Sequence, residues 1–448
     1  MATSIFIEDL IDRLMRYLRD NGVEDIVIRG KRIDSYVIKF HNNNISVCES
    51  RNNVILNIFI GVKRRIAELT FHTLDEQVII KELDKYLKAV NYLPEVEGYR
   101  NLPEDTVEYE EPLNVFHPDD MDPIKGINLI EGLINKITEN NKVSRISGSL
   151  NMNLIKEVMK ASNGRYCEER KTNFNLSVRG FRDDIDVSYQ ANSISTSLSS
   201  INTEEITDEI KGTLTLSDKC ETVTPGKYDL ILSPLAVANL FGHFTELLSA
   251  YYIENNISPF VNSLGKKIAA DLISLYDYPL MNGNPGAKVF DDSGEPTKNT
   301  DIIVNGALCT YLHNWITAGK FGAENTGHAG IFVPQPHSII LSEGDLKTEE
   351  LFNECKHAIV ISNVWYTRFQ NYYEGIFSSL QRDVALLMDH GDIKTFLSGI
   401  RISEMVSNIL LNVTSVAKER KWVMWWDHPY PSLVPYIMVK DVNITTAT

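Results

Sequence analysis

The chain has 448 residues, 43% of them hydrophobic and 23% charged, the balance of a water-soluble globular protein. At that length about two or three domains are expected, each with a core of its own. With 44 basic against 60 acidic side chains the formal charge is −16, a surface that repels phosphate and argues against general nucleic-acid binding. No run approaches the ~18 consecutive apolar residues of a membrane span. The first residues lead straight into an amphipathic pattern without the apolar core of a signal peptide, so a cytoplasmic chain is expected. The five cysteines (Cys48, Cys167, Cys220, Cys309 and Cys355) are scattered and odd in number. They suggest neither a disulfide framework nor a zinc ribbon.

Residues 6–19 place Phe6, Leu10, Leu14 and Tyr17 on one helical face, and Asn21-Gly22 ends the helix. Short strand-like runs follow at 25–29, 35–40, 45–49, 54–60 and 65–69. Turn residues, Asn42-Asn43-Asn44 and Arg51-Asn52-Asn53 among them, separate the runs. Thr73-Leu-Asp-Glu76 has the form of a capping box and opens a helix carrying Ile79, Leu83, Leu87 and Val90. A proline-rich acidic stretch, 91–118, reads as a connector. The pattern then recurs. Asp122-Pro123 starts a helix with Ile127, Ile130, Ile134 and Ile137 on one face. Strands are expected near 142–147, 154–160, 174–178 and 185–189, with a turn at Ser162-Asn-Gly164, and a helix at 203–212 closes the unit.

The fold expected is α+β. Two helix–antiparallel-meander–helix units (1–110 and 111–222) precede a mostly β domain (223–448), barrel-like or sandwiched, with one central helix. That helix follows a strand at 228–233. Ser233 and Pro234 suit its cap and first turn, and Leu235, Ala238, Leu240, Phe241, Phe244, Leu247 and Leu248 make it apolar over a wide face. It carries His243 and Glu246, at i and i+3. Beyond it, Asn305-Gly306 signals a type I′ hairpin; runs 359–363, 384–388 and 436–442 read as strands and 404–413 as a helix.

In this helix the chain resembles the TldD/PmbA family, whose catalytic members carry His-Glu-x-x-x-His there and hold zinc with it. The likeness extends to Gly22–Ser50, Pro225-Gly-Lys-Tyr228, Asp291-Asp-Ser-Gly-Glu-Pro-Thr297, Asn305-Gly306, Tyr311-Leu312, and Thr317-Ala-Gly-Lys-Phe-Gly322 before Thr326-Gly327. Aligned on His243, the first histidine of the motif falls on Ala238 and the glutamate on Asn239. The resemblance implies a further cysteine ligand near the C-terminus, but no cysteine follows Cys355 and the matching region is Lys418–Trp426.

His243 and Glu246 then make two donors, fewer than the three that hydrolytic zinc needs, with no acid left as general base. Cys309, His313 and His328 are further donors that could converge in space, but nothing in their spacing says so. The lone chain is therefore expected to hold no zinc and to have no catalytic residue of its own. Nor is there a Gly-x-Ser-x-Gly elbow, a phosphate-binding loop or a dinucleotide fingerprint.

The resemblance implies a non-catalytic, TldE/PmbA-like subunit of a heteromeric metallopeptidase acting on unfolded peptides, with zinc in a TldD-like paralogue. The family's association with DNA gyrase would then be indirect. A homodimer that binds peptides without cutting them, and an independent hydrolase built around His243 and Glu246, are the alternatives. For partner or peptide contact the candidates are Trp365, Arg368, Gln370 and Asn371, in a segment of aromatics mixed with arginine. The plainer reading of that segment is a packed β turn. Trp422, Trp425 and Trp426 pose the same choice.

Overall fold

The computed structural model describes residues 2–139 and 142–446, with side chains from residue 7 onward. Helix α1 (Ala2–Asp20), strands β1 (Asp25–His41), β2 (Asn44–Val62) and β3 (Arg65–Phe71), and helix α2 (Glu76–Ala89) form the first unit. Helix α3 (Pro123–Thr138), strands β4 (Arg145–Ala161), β5 (Tyr166–Arg182) and β6 (Val187–Ser195), and helix α4 (Thr203–Leu214) repeat that order. The two units share one antiparallel sheet, β3-β2-β1-β4-β5-β6. Its centre is the pairing of β1 with β4, from Val27 opposite Ala161 to Phe40 opposite Gly148.

Runs expected as separate strands are continuous here. Residues 25–29 and 35–40 both lie in β1, and 45–49 and 54–60 both lie in β2. No turn forms at 51–53: Asn52 and Asn53 pair with Asp34 and Ile33. Pairing along a long ribbon overrides the weak strand preference of asparagine, whose side chains there face solvent. The cap of α2 also differs from expectation. Asp75 caps it, accepting from the backbone N–H groups of Gln77 and Val78, while Thr73 only accepts from Asp75 N. Asp122 caps α3 with Pro123 in its first turn, as expected.

Strand alternation divides the sheet's faces. Ile26, Ile28, Leu56 and Ile58 meet Leu10, Leu14, Ile79 and Leu83 of α1 and α2. Phe6, expected on that face, lies outside the described side chains. Ile130 and Ile137 of α3 and Ile206 and Ile210 of α4 pack against β4–β6. On the opposite face Val27, Phe59 and Met159 meet Tyr99 and Leu102 of the connector and Phe290, Trp315 and Ile331 of the C-terminal half.

Charge reinforces this second contact. Lys288 Nζ lies 2.9 Å from Glu157 and 3.1 Å from Glu169. Arg29 pairs with Asp292, with Glu68 at 3.1 Å and with Glu157 at 3.6 Å. Arg165 bridges Asp105 (2.7 Å) and Glu295 (2.6 Å). The Asp291–Thr297 motif is thus a turn that docks one half of the chain on the other. Asp291 folds it by accepting from Ser293 N and Oγ, Glu295 N and Ala329 N.

The C-terminal half holds β7 (Cys220–Thr222), β8 (Gly226–Leu232), β9 (Leu275–Asp277), β10 (Thr300–Val304), β11 (Ala307–Leu308) and β12 (Ile339–Leu341). There follow β13 (His357–Asn371), β14 (Ile376–Asp389), β15 (Asp392–Ser398), β16 (Ile400–Met405), β17 (Val413–Trp425) and β18 (His428–Thr446). They make one mixed twelve-stranded sheet. Strands β18, β8, β13, β14 and β16 close into a ring, because β16 pairs with both β14 and β18. The barrel-like expectation is met in this ring. Asn305 and Gly306 have φ of 48° and 79°, both left-handed, and turn β10 into β11.

Candidate functional site

Helix α5 (Pro234–Glu246) follows β8 and packs on β13, β17 and β18. Ser233 caps it, its hydroxyl accepting from Ala236 N, and Pro234 occupies the first turn, where no N–H is needed. Every residue of α5 is buried except His243 and Glu246. An apolar helix thus presents only its two chemistry-bearing side chains, one turn apart, on the same edge.

Strand β18 brings a third group to them. Its first residue, His428, is 4% exposed, and its ring lies 4.8 Å from that of His243, centre to centre, at 71°. Glu246 sits between them, with Oε2 3.8 Å from His243 Nδ1 and Oε1 3.7 Å from His428 Nε2. Those distances are too long for hydrogen bonds and are electrostatic contacts. Tyr430 OH approaches Glu246 Oε1 at 3.4 Å. Burial pushes the Glu246 carboxyl up, but the two imidazoles facing it hold it down, to about 2. Burial is also the main reason that His428 is lowered. Gly242 makes the approach possible: a Cβ there would lie 2.0 Å from His428 Nδ1.

Among the described residues, His243, Glu246 and His428 are the one group of three whose donor atoms could meet on a single ion. His243 Nε2 and both ring nitrogens of His428 have no hydrogen-bond partner there. The zinc-motif positions themselves do not fit a metal. Ala238 has no donor atom, and Asn239 gives its amide N–H to Val364 O at 2.7 Å. The set that fits is a different one and shares only His243 with the motif. The sequence alone offers two donors, because the region Lys418–Trp426 ends two residues before His428. The signal available was that a lone histidine follows the tryptophan cluster.

The other candidates lie elsewhere. Cys309 is exposed. His313 and His328 are buried in a satisfied network: His313 Nδ1 meets Thr317 Oγ1 at 3.2 Å, and His328 Nε2 meets Asp277 Oδ2 at 3.0 Å. Burial, with His328 adding to it, pushes His313 down to about 4. An imidazole that protonates only near 4 when folded, but near about 6.5 when unfolded, costs stability as pH falls through that window. Between pH 7 and pH 5 the loss is expected to be about 2 kcal/mol. Urea midpoints at the two pH values would measure it. His313→Gln should remove that share of the slope, and an unchanged slope in the variant would rule the assignment out.

Trp365, Arg368, Gln370 and Asn371 belong to the β13–β14 hairpin. The guanidinium of Arg382 lies 4.0 Å over the half-buried Trp365 ring. Arg368 and Gln370 face solvent. Arg368 donates to Thr367 O, Gln370 donates to Ser378 Oγ at 2.8 Å, and Asn371 Oδ1 accepts from Glu374 N in the turn. Trp426, 59% exposed, extends the aromatic surface beside Trp365.

A family model described as the PmbA/TldA metallopeptidase C-terminal domain matches residues 225–446. A Methanocaldococcus jannaschii metalloprotease is 29% identical over 211 residues, 45% of this chain and a little under half (46%) of that protein. The metalloprotease PmbA of Escherichia coli O157:H7 is 24% identical over 68% of each chain. Among solved structures, TldE of Thermococcus kodakarensis superposes with a TM-score of 0.84 at 18% identity, over 97% of this chain and 100% of that one. A Thermotoga maritima protein described as a candidate modulator of a DNA gyrase gives 0.83 at 21% identity, over 98% and 100%. These two likenesses concern the fold. The family model runs from the start of β8 through β18, with α5 and His428 inside it, and the chain belongs to the TldD/PmbA family of metallopeptidases.

Proposed function

We propose that this chain is a non-catalytic, TldE/PmbA-like subunit that pairs with a zinc-bearing, TldD-like paralogue in a cytoplasmic metallopeptidase acting on unfolded peptides. One observation carries the reading. Where catalytic relatives would place the acid of the motif, Asn239 is buried with its amide bonded to Val364 O. A neutral amide held in this way cannot take a proton from water. Support for a partner surface comes from the Trp365, Tyr366 and Trp426 aromatics beside Arg368 and Arg382. No helix among the described residues is long and apolar enough to cross a membrane.

The test is to mix the purified chain with a TldD-like paralogue and measure mass by light scattering and peptide cleavage by chromatography. The pair should form at micromolar concentration and cleave. Arg368→Ala should weaken the pair while the chain keeps its melting temperature. A chain that stays separate from its paralogue would defeat the pairing. The arrival of His428 beside His243 and Glu246 favours a second reading, the independent hydrolase, and cleavage by the lone chain would establish it.

A further inference from the structure

The geometry points to a divalent-cation site of the zinc class in this chain itself, made of His243, Glu246 and His428. It goes beyond the subunit reading and does not depend on it. It also replaces the expectation that the lone chain holds no metal, which rested on two donors.

Three observations support it independently of the family's motif. The donor atoms of the three side chains all lie within 4.8 Å of one another. A tetrahedral ion with bonds of about 2.0–2.2 Å needs its donors about 3.3–3.6 Å apart. The two carboxylate-to-imidazole gaps, 3.7 and 3.8 Å, are already close to that, so small side-chain adjustments suffice. Next, burying imidazole nitrogens without partners is costly, yet the His428 side chain is 3% exposed with both ring nitrogens unpartnered. A bound cation would satisfy one of the two His428 nitrogens. Last, Gly242 leaves the space that seats the His428 ring against α5, where any side chain would collide with it.

The donor set selects the ion. Two imidazoles and one carboxylate suit zinc and its neighbours, whereas magnesium and calcium prefer all-oxygen shells. The site ties the end of α5 to the first residue of β18, across nearly the whole length of the C-terminal half. By itself it supplies no general base. Glu246 as a ligand is no longer free as a base, and Asn239 does not replace it.

The test uses the full chain, stripped by dialysis against a chelator and titrated with cobalt(II) as a spectroscopic stand-in and with zinc. About one equivalent of cobalt should bind with the intense visible bands of a four-coordinate ion. Zinc should displace it, remain at about one per chain by elemental analysis after gel filtration, and raise the melting temperature. His428→Gln and His243→Gln should each weaken binding by more than about 100-fold, since even losing a residue that merely orients a ligand costs about 10–100-fold. Melting curves of the metal-free variants are the check that they fold. A folded wild-type chain with no cobalt bands and no retained zinc would overturn the site, and so would undiminished zinc in both variants. Peptide cleavage by the zinc-loaded lone chain, lost in His428→Gln, would uphold the site and overturn the non-catalytic reading.

Discussion

Glu157→Ala is expected to destabilise the chain by about 3 kcal/mol, since it leaves buried charge without its counter-charge. The Glu157 side chain is 2% exposed and faces Lys288 at 2.9 Å, Arg29 at 3.6 Å and Lys31 at 3.8 Å. Lys288 and Arg29 come to it from different halves of the chain, so the loss falls on the docking of segment 288–295 onto β1, β4 and β5. Glu169, Glu68 and Asp292 keep partial hold of the two cations, which sets the value at the lower end for a broken buried pair. Burial pushes Glu157 up, but Lys288, Lys31 and Arg29 outweigh it and hold the carboxyl far below the ordinary range. A depressed carboxylate gives its stability in full above the unfolded value of about 4.5 and loses it as pH falls below that. The gap between wild type and Glu157→Gln should therefore narrow below pH 4.5. Denaturant midpoints across pH would show this, and a constant gap would mean that shape, not charge, is what Glu157 supplies.

Gly242→Ala is the second large effect, and its sign is opposite to helix propensity. At an exposed interior position alanine would gain about 1 kcal/mol over glycine. Here the new Cβ meets three His428 ring atoms at 2.0, 2.1 and 2.5 Å. That ring is held between His243 (4.8 Å) and Tyr430 (4.6 Å). A net loss of about 3 kcal/mol is expected, the upper end for overpacking. His428→Ala in the same chain should recover most of it, which a double-mutant cycle would measure as a strong coupling. Additive losses would show that the ring moves aside easily, and the cluster would then be looser than its distances suggest.

Much of the architecture was legible in the sequence because it follows from periodicity and capping. The helices with clear apolar faces, the Asp122-Pro123 start, the Ser233-Pro234 start and the Asn305-Gly306 turn all depend on neighbours within a few residues. The continuity of β1 and β2 was not legible. Asn52 and Asn53 look like a turn until β1 is present to pair with them, and that pairing is not local. The candidate site divides along the same line. His243 and Glu246 stand one turn apart on a single helix and could be read together. His428 reaches them only through the register of β18 against β8, which sets Ile437 opposite Leu232 just before α5 begins. Nothing near Asp427-His428-Pro429 announces where that strand will lie. The Asp291–Thr297 turn could be recognised as a motif, but its partners Arg29 and Arg165 belong to the other half of the chain.

The position of β18 has a consequence for biosynthesis. It lies between β8 and β12 near the middle of its sheet, yet nearly all of the C-terminal half separates it from β8 in the chain. At ~5–20 residues per second, a ribosome needs on the order of ten seconds or more between releasing β8 and releasing β18. Through that interval α5 and the inner edge of β8 have no central strand to cover them. The half-made domain exposes an apolar helix and an open strand edge together, the combination that recruits chaperones and promotes misassembly on crowded polysomes.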